Sequence, residues 1–408
     1  MTHHTILNQH YGQLLGLCAP WIVVKVDLDL AAKRVIIRLD RDKSFEMTCP
    51  ECGRSCPIYD SVEERQWRHL DTMQFETILV ATVPRVDCPE HGVRRGSVPW
   101  ARPHGRFTLL FEAFAISVLE CCGTVKAAAE ILRVNWKTLD GIMKAAVERG
   151  MDRRELVDVT RISLDEKHYS KKEGCVSVMC DIDGSRVLDL VPKNSEAAAT
   201  ALLETLPDDT QGMIEAVTMD MCPSFKNATT VVLPWADVVH DRFHVKKALN
   251  EATDTVRRQE SKDNPLLKRT RHLWLYNYAN LKEHQRQRFA VLKKENLTTA
   301  KAYSIKEMFD EFWNAPDAEV AAIWAERWLS WALNCRIEPM VRIAKTIQKH
   351  LDCLLTYFEH RVTNAIAEGM NSKIQTIIAA ARGLRSFVTL RIRVLFFCGN
   401  LELSPVTH

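Results

Sequence analysis

The sequence predicts an α+β chain of several domains, and three observations lead there. Two matching C-x-x-[CH] knuckles sit in a strand-rich first quarter. Residues 107 to 149 then read as all helix. From Thr160, strands alternate with helices and give way to a helical stretch over 242 to 362, after which a lone carboxylate, Glu368, follows. The expected division is 1–46 (N-terminal hairpin region), 47–105 (finger), 106–157 (helical domain), 158–245 (mixed core, first part), 246–360 (all-helical insertion) and 361–408 (core, last part).

Composition narrows the function classes. With 46% hydrophobic residues each domain can have a core, and a net charge of +3 requires any basic footprint to be local. It is local: residues 242 to 295 hold 14 Lys or Arg against 6 Asp or Glu. Thirteen cysteines without a secretory leader pattern suit a reducing cytosol, where paired cysteines are metal ligands. No apolar run approaches the roughly 18 residues that cross a bilayer, so a membrane role is not expected.

In chain order, Trp21 to Leu30 and Arg34 to Leu39 alternate apolar and polar around Ala31-Ala-Lys33, as a hairpin does. Cys49-Pro-Glu-Cys52-Gly53 and Cys88-Pro-Glu-His91-Gly92 can wrap one tetrahedral Zn²⁺ from two turns, with Cys56 an alternative fourth ligand. The strand-like Thr77 to Val83 between them gives a zinc ribbon. Cys121, Cys122 and Cys398 lack such spacing and read as buried apolar residues. Val125 to Leu132, a break at Arg133-Val-Asn135 and an amphipathic helix from Trp136 match a helix-turn-helix with Asn135 as N-cap. Trp136, Lys137 and Asp140 would face a DNA groove; a plain helical hairpin is the structural alternative.

From Thr160 the order is three strands, helix, strand, helix, strand. That is the order of a ribonuclease H-like sheet, whose first and fourth strands are neighbours. Asp165 follows the strand Thr160 to Leu164 and Asp220 follows Ala216 to Met219, so both are expected at neighbouring strand ends. Glu166, Asp181 and Asp183 are rivals, because single strand-end acids are usually turn or cap residues. The tryptophans of the helical stretch, Trp274, Trp313, Trp324, Trp328 and Trp331, read as core. In Thr363 to Gln375 the residues Asn364, Glu368 and Asn371 share a helix face. No further acid occurs before Glu402, although Lys373, Arg382 and Arg385 do. An isolated acid in a basic strip suggests a metal near phosphate.

Together these residues resemble an insertion-sequence transposase of the D-D-E type, most closely the ISL-three family. The blocks that carry the resemblance are the Cys-Pro-x-Cys-Gly finger, Leu164-Asp165-Glu166, Val239-His-Asp-Arg-Phe-His-Val245, Asn364-Ala-Ile-Ala-Glu368-Gly-Met-Asn371 and Arg382-Gly-Leu-Arg-Ser-Phe387. Two departures are His91 where a Cys is common and Gly-Leu-Arg in place of Gly-Phe-Arg. The resemblance implies Asp165, Asp220 and Glu368 as ligands of two Mg²⁺ (or Mn²⁺) that cut and join DNA, and Zn²⁺ in the finger. Asn364, Asn371, Lys373, Asp241 and His244 would support the acids, while Lys246, Lys247, Arg382 and Arg385 would hold phosphates. Partners would be transposon-end and target double-stranded DNA, and a second copy in a homodimer, in a bacterial cytoplasm near the nucleoid. Two other functions use the same parts: a catalytically silent DNA-binding repressor, which the intact acids argue against, and a structure-specific nuclease, which needs no sequence-reading modules.

Overall fold

A computed structural model describes residues 3–170, 174–295, 297–362, 365–381, 384 and 386–406. The chain divides into two compact units, Met1–Arg154 with Leu401–His408, and Glu155–Asn400.

The first unit opens with helix α1 (His3–Leu14). Strands β1 (Trp21–Asp29) and β2 (Arg34–Arg41) form the expected antiparallel hairpin. They do not stand apart from the finger. A short pair, β3 (Met47–Thr48) and β4 (Ser55–Cys56), carries the first knuckle, and the long β5 (Ile58–Thr72) and β6 (Phe75–Cys88) follow, with β7 (Gly92–Arg95) on β6. The sheet order β1-β2-β6-β5 results from parallel pairing of β2 with β6, Arg34 against Glu76 through Leu39 against Ala81. The boundary at 46/47 therefore runs through one sheet; a parallel pairing across so many residues leaves no local mark in the sequence. Alternation in β2 buries Val35, Ile37 and Leu39, and Trp100 meets Trp21 and Trp67 edge to face at 4.9 and 5.5 Å. The knuckles of the finger rest on this larger core.

Three helices follow: α2 (Leu109–Cys122), α3 (Val125–Leu132) and α4 (Trp136–Asp152). Each start is capped by a side chain: Thr108 accepts from the Phe111 amide, Thr124 from Ala127 and Asn135 from Lys137. Gly123, at φ 63°, closes α2 in the left-handed conformation. Cys121 is exposed and Cys122 half-buried at that helix end, unlike the buried Cys398; the last turn of α2 faces outward, which spacing does not reveal.

In the second unit the strands β8 (Arg161–Ser170), β9 (Gly174–Asp181) and β10 (Arg186–Pro192) are followed by α5 (Glu196–Leu203), α6 (Asp208–Gln211), β11 (Ala216–Met219), α7 (Pro223–Val232) and β12 (Asp237–His240). The sheet order is β10-β9-β8-β11-β12. As expected, the first and fourth strands are neighbours, parallel, with Leu164 opposite Met219. Asp165 is not at the end of its strand, however. β8 runs on beside β9, pairing Asp165 with Val178, because the antiparallel partner is longer than the parallel one.

Alternation along β11 and β12 sends Val217, Met219 and Val238 to the face covered by α5 and α7, and Ala216 and Val239 to the opposite face. That opposite face carries α8 (Arg242–Glu260), α9 (Arg271–Leu275), α10 (Glu283–Lys294), α11 (Thr298–Met308), α12 (Asp310–Trp313), α13 (Ala318–Asn334), α14 (Glu338–Lys349), α15 (Leu351–Leu355) and α16 (Tyr357–His360); among these α9 and α10 pack on α11 in a satellite core around Trp274, Phe289 and Tyr303. Trp274, Trp313 and Trp328 are buried, but Trp331 is 43% exposed; it shares the α13 spacing yet falls on the solvent edge. Last come α17 (Ala365–Ala380) and α18 (Phe387–Cys398). Arg391 of α18 grips the buried Asp189 of β10 with two hydrogen bonds of 2.7 and 2.8 Å, and α17 packs on α18 and β8.

Candidate metal centres and nucleic-acid interface

The two knuckles meet. Ligand atoms of Cys49, Cys52, Cys88 and His91 all lie within 4.8 Å of one another. Cys52 Sγ is 3.7 Å from Cys88 Sγ, and His91 Nδ1 is 3.6 Å from Cys88 Sγ and 3.8 Å from Cys49 Sγ. A zinc tetrahedron with bonds near 2.0 to 2.3 Å has edges of about 3.5 to 3.8 Å, so the donors fit. Gly53 and Gly92 close their knuckles at φ 72° and 66°, where a side chain is disfavoured. Hydrogen bonds from the His91 amide and ring hold the Cys88 thiol down at about 6, which favours the thiolate that zinc needs. Glu51, inside the first knuckle, reaches His91 Nε2 at 3.5 Å and is itself held by Arg94 at 2.6 Å. That carboxylate fixes the ring with Nδ1 facing the thiolates, a role that sequence reading missed. Cys56 bonds the Arg54 carbonyl at 3.3 Å and lies outside the group.

The acid cluster is assembled from three elements of the second unit. β8 and β11 bring Asp165 and Asp220 one residue beyond the paired Leu164 and Met219. α17 lies against β8, and Asn371 Nδ2 donates to Asp165 Oδ2. Glu368, three residues earlier, has its carboxyl raised by burial first and then by the charges of Asp241 and Asp165, with His244 opposing. Asp220 is likewise raised, by burial first and also by Asp165 and Glu166, with His244 opposing. Its buried Oδ1 has no hydrogen-bond partner among the described residues. A buried carboxylate oxygen without a donor, among acids that lift one another's pKa, is the environment a cation relieves. The ligand atoms of Asp165, Asp220 and Glu368 do not all lie within 4.8 Å of one another.

Asp241 is buried and caps α8, accepting from the Phe243 amide at 3.0 Å; His244 Nε2 is 3.7 Å from it. Lys373 is exposed on α17 and its charge reaches Cys398. The rival acids have other work: Asp181 binds Arg186 and the Gly184 amide, Asp183 pairs with Arg161, and Glu166 accepts from Asn194 at 2.6 Å. Asn364, Arg382 and Arg385 lie outside the described residues.

On α4, Leu139, Ile142, Met143 and Ala146 are buried, which leaves Trp136 and Lys137 exposed at its start and Asp140 half-buried one turn on. In the second unit, Asp220, His244, Lys247 and Glu251 line a cleft of about 230 Å³. Lys247 and Glu251 also line a larger one of about 1060 Å³, whose walls add Phe243, Arg258, Arg271 and Tyr276. Lys247 is exposed, whereas Lys246 faces Asp310 at 3.4 Å and so starts with a partner. Arg271 and Tyr276 carry no local signal beyond the basic excess.

Comparison with known proteins identifies the family. A family model described as a transposase, of the DDE type of ISL3, matches residues 162–394. A helix-turn-helix domain of transposase family ISL3 matches 97–147, and a zinc-finger of transposase IS204/IS1001/IS1096/IS1165 matches 46–91. The transposase for insertion sequence element IS1557 of Mycobacterium tuberculosis is 28% identical, over 92% of this chain and 91% of its own. That for IS1001 of Bordetella parapertussis is 26% identical, over 86% and 89%. A solved simian T-cell lymphotropic virus intasome in complex with PP2A regulatory subunit B56 gamma aligns at 15% identity over 45% of this chain and 69% of that one, with a TM-score of 0.17, too low to establish a shared fold. With more than half of its length matched by the DDE model, the chain belongs to transposase family ISL3, as an enzyme of DNA transposition with a zinc finger and a helix-turn-helix.

Proposed function

We propose that Asp165, Asp220 and Glu368 hold two Mg²⁺ and that this chain cuts and rejoins DNA at the terminal inverted repeats of its insertion sequence. The observation that carries this reading is the buried Asp220 Oδ1, without a hydrogen-bond partner among the described residues, beside Asp165, to which Asn371 anchors α17. Two divalent ions held by these acids would neutralise charge on the attacking and leaving oxygens of a phosphodiester. Carboxylates shared out between two such ions need not all meet, which suits a cluster wider than 4.8 Å. Asn371 orients Asp165, Asp241 and His244 set the field around Glu368 and Asp220, and Lys247 holds phosphate at the cleft mouth. No protein nucleophile is required: water frees a 3′-hydroxyl at the transposon end, and that hydroxyl attacks a target phosphodiester.

On this reading the sheet, with parallel first and fourth strands, is a ribonuclease H-like core made of 158–245 and of 361–400 rather than the expected 361–408, since 401–408 belong to the first unit, and 246–360 is an insertion into it. Residues 47–105 are the Zn²⁺ finger and 106–157 the reader of the repeats. Two ends to be cut call for a homodimer on DNA, working in the cytoplasm beside the nucleoid. The test is a Mg²⁺-dependent cleavage assay on labelled transposon-end DNA beside a gel-shift on the same duplex. Asp165→Asn, Asp220→Asn and Glu368→Gln should each bind normally and cut at least about a hundredfold more slowly. A Glu368→Gln protein that cuts near the wild-type rate would refute the assignment.

A further inference from the structure

The turn between β5 and β6 combines features that the fold alone does not explain. Thr72 pairs with Phe75, so Met73 and Gln74 form a two-residue loop, and both have positive φ, 48° and 70°. That geometry belongs to Asn-Gly and similar pairs, because longer side chains are disfavoured in the left-handed region. Packing does not offset the strain. Met73 is 88% exposed, the largest value among the exposed large hydrophobic residues, and Gln74 is exposed too.

The tip is also held in one place. The ladder shifts register between His69 and Thr72, and a bulge of this kind re-aims a strand. Asp71, in the bulge, pairs with the buried Arg68 and with Arg133, and Arg133 further donates to the Gln74 carbonyl at 3.1 Å. Arg133 is the left-handed residue that ends α3, two residues before the N-cap of α4. The turn is thus clamped to the bend that precedes the exposed Trp136 and Lys137. Beside it, the Glu76 amide donates to the Lys33 carbonyl at 2.9 Å, which steadies the base of the hairpin.

We propose that the β5–β6 turn is a wing that enters the minor groove of the terminal repeat next to the major-groove site of α4, with Met73 as an apolar wedge and Gln74 as a hydrogen-bonding reader. An unbranched apolar side chain between base steps and an amide on the groove edge are the two contacts that minor-groove proteins make. The proposal rests on α4 facing DNA.

The full-length chain with Met73→Gly and Gln74→Gly tests it, since Gly-Gly suits a turn with positive φ at both positions and removes both side chains. The melting temperature should not fall. Affinity for a duplex carrying the element's own terminal repeat should fall about tenfold, and adenine N3 protection from dimethyl sulfate should vanish while guanine N7 protection persists. Unchanged affinity and N3 protection would overturn the wing, as would a change in self-association with DNA binding intact, which would make the turn an interface between copies. Lys137→Ala is the control: it should remove N7 protection, and its failure to do so would fault the α4 reading, whereas the N3 pattern judges the wing.

Discussion

At the scale of single residues, most of the chemistry depends on what burial does to polar groups. His240, the last residue of β12 and the neighbour of Asp241, is fully buried, and its Nε2 lies 3.0 Å from His350 Nδ1. Burial, followed by the nearby His350, pushes His240 down to about 4, so the folded chain refuses a proton that the unfolded chain accepts below about 6.5. Stability contributed this way is present above that unfolded value and is lost as pH falls towards 4, by roughly 3 kcal/mol at most. His69 of the first unit, also pushed to about 4 by burial, titrates over the same range. The test therefore compares wild type with His240→Phe: the variant should lose less stability between pH 6.5 and 4, and parallel curves would show that His240 is not responsible. The ring pair holds the end of the strand that leads into the acid cluster, so acid should loosen the site before it unfolds the helices.

At the scale of elements, the sheet of the first unit changes what zinc is expected to do. The knuckles sit on a core that includes Trp21, Trp67 and Trp100, and Cys49 and Cys88 are themselves buried in it. Removing metal with a chelator should therefore lower the melting temperature of this unit and disorder the knuckles while leaving the tryptophan near-ultraviolet signal largely intact. Complete loss of that signal would mean that the sheet depends on zinc, as isolated fingers do. The same scale explains the precision of α17. Its sequence contains Glu368 and Asn371, but it lies on β8 while packing against α18, which Arg391 ties to Asp189.

At the scale of the whole molecule, the last residues return to the first unit. Leu403 is buried, its carbonyl accepts from Arg149 Nε at 3.1 Å, and Gly150 faces Leu401 so closely that an added Cβ would lie 2.8 Å from that side chain. Deleting residues 401–408 should destabilise the unit made of residues far from it in sequence, lowering the first-unit transition in calorimetry by several degrees and leaving that of 155–400 in place. An unchanged first-unit transition would contradict this packing.

The sequence by itself determined whatever is written in local spacing. Two ligands three residues apart define each knuckle, Thr124 and Asn135 define helix starts, and Asn371 follows Glu368 on one helical face. The order of strands also foretold that the strands carrying Leu164 and Met219, the residues before Asp165 and Asp220, would be neighbours. Tertiary structure alone decided what depends on partners distant in the chain. The parallel pairing of β2 with β6 merged hairpin and finger, β9 carried β8 past Asp165, Asp310 took up Lys246, and Arg133 clamped a strained turn beside α4. The reason is physical. Helical faces, caps and turns are set by neighbours within about four residues, whereas burial and ion pairing are set by chain segments that only the folded core brings together.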